Sequence, residues 1–143
     1  MWGGYDKEGF MTGAARTGNA SGKTILLIED SATQALHLKV LLEQERLKVA
    51  WASAGQMGLK MARQLLPDLI LLDVQMPDMN GFQVCQQLKD AKGTAAIPVI
   101  MLTRFDDPET ISLGMQIGVI DYIPKDAFAD VVLLETLRQM GVI

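Results

Sequence analysis

Short, unbroken apolar runs alternate along this chain with longer stretches in which apolar residues recur every three or four positions. Two of the runs are Ile25-Leu26-Leu27-Ile28 and Leu69-Ile70-Leu71-Leu72. Runs of this length suit strands covered on both faces, as in a parallel sheet. The pattern predicts strands over residues 24–28, 47–52, 68–72, 97–102 and 119–123. Helices are predicted over 32–46, 54–66, 81–91, 108–117 and 127–140. Local signals mark the junctions. Ser31 is an N-cap for the first helix and Asp126 for the last. Pro67 stops the second helix, and Pro108 opens the fourth. Met76-Pro77-Asp78 and Asn80-Gly81 are turn signals. In the first helix Leu36, Val40 and Leu41, with Leu47 just beyond, fall near helical spacing. In the last, Leu133, Leu134, Leu137 and Met140 form a stripe toward the sheet, with Phe128 and Val132 on the other side.

Five strand–helix units in series imply an α/β fold of (βα)5 type, an open parallel sheet doubly wound with helices. The first, third and fourth strands are wholly apolar and should be central. The second carries Lys48 and the fifth Asp121, which places them at the edges. The order 2-1-3-4-5, flavodoxin-like, fits both constraints.

Residues 1–22 are glycine-rich and without apolar periodicity, and read as a flexible N-terminal extension. Residues 23–143 form the folded domain. With 143 residues and 49% apolar content, one core is ample. The net charge of −4 and the lack of a basic run argue against direct nucleic-acid binding. A single cysteine, Cys85, excludes an internal disulfide and suits a reducing cytosol. No apolar stretch approaches the roughly 20 residues of a membrane span. A cytoplasmic location without membrane contact is therefore expected.

The chemistry lies just past the strands. Glu29 and Asp30 follow the first, Asp73 the third, Thr103 the fourth, and Lys125 the fifth, one residue beyond Pro124. Carboxyl ends of parallel strands share one edge, so three carboxylates, a hydroxyl and an ammonium should converge there. Carboxylates packed together repel and need compensation. A divalent cation supplies it, and hard oxygen ligands favour Mg²⁺. A carboxylate flanked by a metal, a hydroxyl and a cation is equipped to accept a phosphoryl group.

These motifs, Ile28-Glu29-Asp30, the 72–81 segment Leu-Asp-Val-Gln-Met-Pro-Asp-Met-Asn-Gly, Met101-Leu102-Thr103 and Asp121-Tyr122-Ile123-Pro124-Lys125, resemble the receiver domain of two-component response regulators. The resemblance covers residues 23–143. It implies a phosphorelay switch in which Asp73 accepts phosphate from a histidine kinase or phosphotransfer protein. It implies Mg²⁺ held by Asp30, Asp73 and the backbone carbonyl of Gln75, with Glu29 acting through water. It assigns Thr103 and Tyr122 to a switch pair and Lys125 to the family's lysine. Activity is then self-catalysed phosphoryl transfer and autodephosphorylation, not turnover as an enzyme. Homodimerisation or output would use the fourth helix, fifth strand and fifth helix. The chain departs from the family in three places. Asp126 stands where proline usually follows the lysine, and a non-proline cis bond costs about 2.5–4 kcal/mol, which puts the family's cis bond in question. Arg104 replaces a small residue, and Phe105 occupies a position that tunes dephosphorylation.

Other readings weigh less. A phosphorylation-independent binding module on the same fold is the main alternative. An aspartate-based phosphatase would want a second Asp where Gln75 stands. A flavin site would be repelled by Glu29 and Asp30. The stretch from Gly18 to Thr24 mimics a P-loop but has three residues between its glycines, where four are required, and precedes a strand. His37, inside the first helix with no acidic neighbour, reads as a surface or half-buried residue rather than a phosphohistidine. Cys85 and Trp51 read as packing residues.

Overall fold

The computed structural model describes residues 22–104 and 108–143. Residues 1–21 of the expected extension, and Phe105, lie outside them. The chain runs β1 (Thr24–Ile28), α1 (Ala32–Glu43), β2 (Lys48–Ala52), α2 (Gly55–Leu65) and β3 (Leu69–Asp73). It continues through α3 (Gly81–Asp90), β4 (Val99–Thr103), α4 (Pro108–Ile117), β5 (Asp121–Pro124) and α5 (Ala129–Gln139). All four strand pairings are parallel, and the order is β2-β1-β3-β4-β5. The expected architecture and the expected edges are both observed.

Alternation along the strands splits the core in two. Leu26, Ile28, Ile70, Leu72, Val99 and Met101 face α2 and α3, where Leu59, Ala62, Val84, Cys85 and Leu88 meet them. Ile25, Leu27, Leu69, Leu71, Ile100 and Leu102 face α1 and α5, against Ala35, Leu38, Leu42, Leu133 and Leu137. Each such side chain contributes about 1.5–3 kcal/mol on burial, so the three central strands form the rigid floor of the molecule. Their register pairs Ile28 with Leu72, Asp73 with Leu102, and Thr103 with Pro124. The strands therefore end level with one another.

Several elements differ from the sequence expectation. Helix α1 buries Ala35, Leu38 and Leu42, not Leu36 and Val40, which are exposed. It stops at Glu43, and Arg46 adopts a left-handed conformation (φ 66°) that turns the chain back so Leu47 is buried. Helix α2 ends similarly, with Leu66 left-handed (φ 48°) ahead of Pro67. Strand β4 begins after Pro98, whose carbonyl accepts from Ile70 N–H. Helix α5 starts at Ala129, because Asp126 Oδ1 accepts from Phe128 N–H at 2.8 Å and closes a turn ahead of the helix. Leu133 and Leu137 are buried and Leu134 half-buried, but Met140 lies outside the stripe, 37% exposed. Ser31 caps α1 as expected, accepting from Gln34 N–H. The peptide after Lys125 is trans.

Candidate functional site

Because the strands end level, the residues just past them share one cleft of about 290 Å³, lined by Glu29, Asp30, Asp73, Gln75, Thr103 and Lys125. Every one of these was expected at this edge, and the structure brings all six together. Tyr122 does not line the cleft; it sits farther back on β5.

Glu29 and Asp73 are buried, Asp30 is exposed. Lys125 bridges the two buried carboxylates, with Nζ 3.1 Å from Glu29 Oε1 and 3.1 Å from Asp73 Oδ2. Its own N–H donates to the Thr103 carbonyl at 2.8 Å, which fixes the loop after β5 against β4. Asp73 Oδ1 accepts from Gln75 N–H at 3.2 Å, and Glu29 Oε2 from Ser31 N–H at 3.1 Å. Burial, and then the neighbouring Asp73 carboxylate, push the Glu29 carboxyl up from an ordinary 4.5 to about 7. The Ser31 N–H and Lys125 pull the other way without cancelling this.

Oxygens of Glu29, Asp30 and Asp73 lie within 4.8 Å of one another. One ammonium shared between two buried acids leaves negative charge in excess, and the donors are all hard oxygens. That set fits a divalent cation of the Mg²⁺ class.

The loop from β3 to α3 is held from three sides. Gly55 and Gln56 N–H, at the start of α2, each donate to Asp78 at 2.9 Å and hold that carboxyl below the usual carboxylate range. Helix α2 has no side-chain cap of its own, so Asp78 caps it from the loop between β3 and α3. Asn80 and Gln83 form a reciprocal capping box on α3. Gly81 packs on the Asp73 backbone so closely that a Cβ would strike the Asp73 carbonyl.

Tyr122 is half-buried beside α3 and α4, and its hydroxyl donates to the Thr110 carbonyl at 2.9 Å. Gly114 makes room for it, since a Cβ there would land on the Tyr122 hydroxyl. Burial pushes the phenol above its ordinary range.

Sequence reasoning missed four contacts. Gln34 lines the cleft from the first turn of α1; its position three residues after the Ser31 cap was the available signal. Trp51 was read as packing only, yet its indole Nε1–H donates to the Glu29 carbonyl at 2.7 Å. Asp78 was read as a turn residue. His37 does have an acidic partner: its Nε2 lies 2.7 Å from Asp130 Oδ2 on α5. That partner is remote in sequence, so no local pattern announced it. Arg104 is exposed at the cleft mouth, and Cys85 is buried as expected.

Among the described residues no helix is long and apolar enough to cross a membrane. Residues 25–138 match the profile of the response regulator receiver domain. Protein PilH of Pseudomonas aeruginosa is 38% identical over 114 residues, covering 80% of this chain and 93% of PilH. Response regulator PleD of Caulobacter vibrioides is 38% identical over 116 residues, 81% of this chain but only 25% of PleD. The chain thus spans about a quarter of that relative. Among solved structures, the signal receiver domain of a histidine kinase from Syntrophus aciditrophicus matches with a TM-score of 0.75 and 36% identity. It covers 83% of this chain and 89% of that one.

Proposed function

The chain belongs to the response regulator receiver family, and from that premise we propose that Asp73 accepts a phosphoryl group from the phosphohistidine of a histidine kinase or phosphotransfer protein. The observation that carries this reading is the Lys125 ammonium, placed 3.1 Å from both Asp73 and Glu29 inside an acidic cleft. An Asp73 oxygen attacks phosphorus in line; the new O–P bond forms as the N–P bond to the donor imidazole breaks. Asp30, Asp73 and the Gln75 carbonyl would hold Mg²⁺, with Glu29 acting through water. When bound, the ion supplies charge neutralisation at the phosphoryl oxygens.

The protein's own groups do the rest. Lys125 pairs with a phosphoryl oxygen once Asp73 is esterified, and the Thr103 hydroxyl donates to another. Phosphorylation adds about −1.5 to −2 charges, which the ammonium is placed to absorb. Thr103 lies at the end of β4 and Tyr122 on the neighbouring β5, so the pair can relay the change to α4. The face made by α4, β5 and α5 would then meet a second copy or an output partner. Arg104, at the mouth, shields the acyl phosphate from water, so Arg104→Ala should change its rate of loss; an unchanged rate would return Arg104 to bulk solvent. The chemistry is self-catalysed, with the protein itself modified.

Incubating the full chain with a small phosphodonor such as acetyl phosphate, followed by intact mass, tests the reading. One phosphoryl group should add in Mg²⁺, none in chelator, and none to Asp73→Asn. No uptake in wild type would leave the phosphorylation-independent binding module as the better account. Uptake that survives Asp73→Asn would refute the site.

A further inference from the structure

Strand β2 is an edge strand, and Trp51 is its one exposed large hydrophobic side chain, 37% accessible. Edge aromatics ordinarily cover apolar surface. This one also spends its single polar group on a particular backbone atom, the Glu29 carbonyl, at 2.7 Å. The β1–β2 ladder reaches one residue past the strand, where Glu29 N–H donates to the Ala52 carbonyl at 3.0 Å. On the carbonyl side of the same residue the indole N–H takes the place that a further ladder bond would fill.

Glu29 is therefore pinned at four points. Its N–H and carbonyl are tied to β2, and its carboxylate is tied to Ser31 N–H and Lys125. The next residue is Asp30, exposed and within 4.8 Å of the other two carboxylates. The peptide joining the two residues is the one whose oxygen the indole holds. Rotation of that peptide would swing Asp30 away from Asp73.

We propose that Trp51 is a positioning residue for the cation site: its indole fixes the Glu29–Asp30 peptide and so presents Asp30 to Asp73 before an ion arrives. The inference rests on the reading of the cleft as a Mg²⁺ site. Groups that orient ligands without touching the metal are a recurrent feature of metal centres. Here the orienting group lies on a neighbouring strand, 22 residues away in sequence. The same contact makes Trp51 a built-in optical reporter of site loading.

The test uses the full chain in two backgrounds. The sequence has two tryptophans, Trp2 and Trp51, so Trp2→Phe leaves Trp51 as the only tryptophan, selectively excited at the red edge of the absorption band. Its fluorescence should change saturably with Mg²⁺, with the midpoint that calorimetry gives for the same protein. Trp51→Phe keeps an aromatic ring on the edge strand but loses the N–H. It should raise the calorimetric Kd for Mg²⁺ about three- to tenfold, the range expected for one lost hydrogen bond. In acetyl phosphate assays the Mg²⁺ concentration for half-maximal uptake should rise by the same factor, with the plateau rate little affected. A melt in chelator reads folding separately. A Trp51→Phe protein that binds Mg²⁺ as tightly as wild type overturns the proposal and returns Trp51 to packing. A wild-type protein that binds no Mg²⁺ overturns the proposal together with the cation site it rests on.

Discussion

Helices α3 and α4 are both ten residues long, and they follow β3 and β4, the adjacent strands that carry Asp73 and Thr103. They are anchored very differently. Helix α3 opens with a capping box and buries Gly81, Val84, Cys85 and Leu88. In α4 Gly114 is buried, while Leu113 and Met115 are exposed. Helix α3 and its loop frame Asp73, and Gly81 touches the Asp73 backbone. Helix α4 frames Tyr122. Asp73, the proposed acceptor, is thus held by the firm helix, and Tyr122, the proposed reporter, by the loose one. Elements with few buried contacts open locally at low cost. The proposed switch would use that asymmetry, with a rigid site to receive charge and a soft neighbour to respond to it.

The largest test compares the two helices directly. Leu88→Ala removes a fully buried side chain of α3 and should cost about 2–5 kcal/mol. Leu113→Ala on α4 should stay within about 0.5 kcal/mol. Urea denaturation of both variants measures the pair. Equal losses would break the comparison.

The firm side also stores repulsion. Glu29 carries a folded-state pKa of about 7 against an ordinary 4.5. A carboxyl raised in the folded state stabilises the protonated fold. That stability is fully present below about 4.5 and is lost as pH rises through about 7. In chelator, wild type should therefore weaken across this window by an amount on the order of 1–3 kcal/mol. Glu29→Gln should flatten the profile. A stability curve that rises with pH over the same range would contradict that charge balance.

On the soft side, Gly114→Ala should be felt at Tyr122 rather than in the fold. The added methyl collides with the Tyr122 hydroxyl, so either the ring leaves its seat or α4 shifts. Overpacking costs about 1–3 kcal/mol, offset by about 1 kcal/mol from alanine's better helix propensity. The net change should be near 1 kcal/mol. With fluorotyrosine incorporated, the Tyr122 resonance should move. An unmoved resonance would mean that α4 accommodates the methyl without disturbing the ring.

The same contrast governs what could be read from the sequence. Part of the site was legible because Glu29, Asp73 and Thr103 end apolar runs, and parallel strands bring such ends together whatever the details of packing. Gln75 and Tyr122 entered only through the family resemblance. Asp73 and Thr103 stood out once the strand order was known, and Lys125 only in combination with them. The face of α1 was not legible. Leu36, Leu38, Val40, Leu41 and Leu42 put apolar groups nearly all round that helix, so periodicity could not choose a side, and contact with the sheet selected Leu38 and Leu42. Asp126 was misplaced by two residues because an Asx turn and an N-cap use the same side chain with the same offset in donors. Trp51 to Glu29, Asp78 to α2, and His37 to Asp130 join residues 22 to 93 positions apart. No local pattern encodes such contacts.

The smallest expected effect on stability concerns the surface beside the soft helix. Phe128 is 69% exposed, and Val131 and Val132, within a turn of it, are exposed as well. They lie where β5 passes into α5, the side of the molecule to which a Tyr122 shift would be passed. Apolar groups clustered outside the core mark interaction surfaces. Since none of them supports the core, Phe128→Ser with Val132→Ser should change stability by no more than about 0.5 kcal/mol. Association should change much more. Sedimentation of wild type with beryllofluoride, as a phosphoryl mimic at Asp73, should show self-association that the double variant lacks. Wild type without the mimic should associate less, because a ligand shifts a two-state surface only through its unequal affinity for the two states. A wild type that stays monomeric with and without the mimic, and is indifferent to the substitutions, would remove self-association. The exposed cluster would then be left to a different protein.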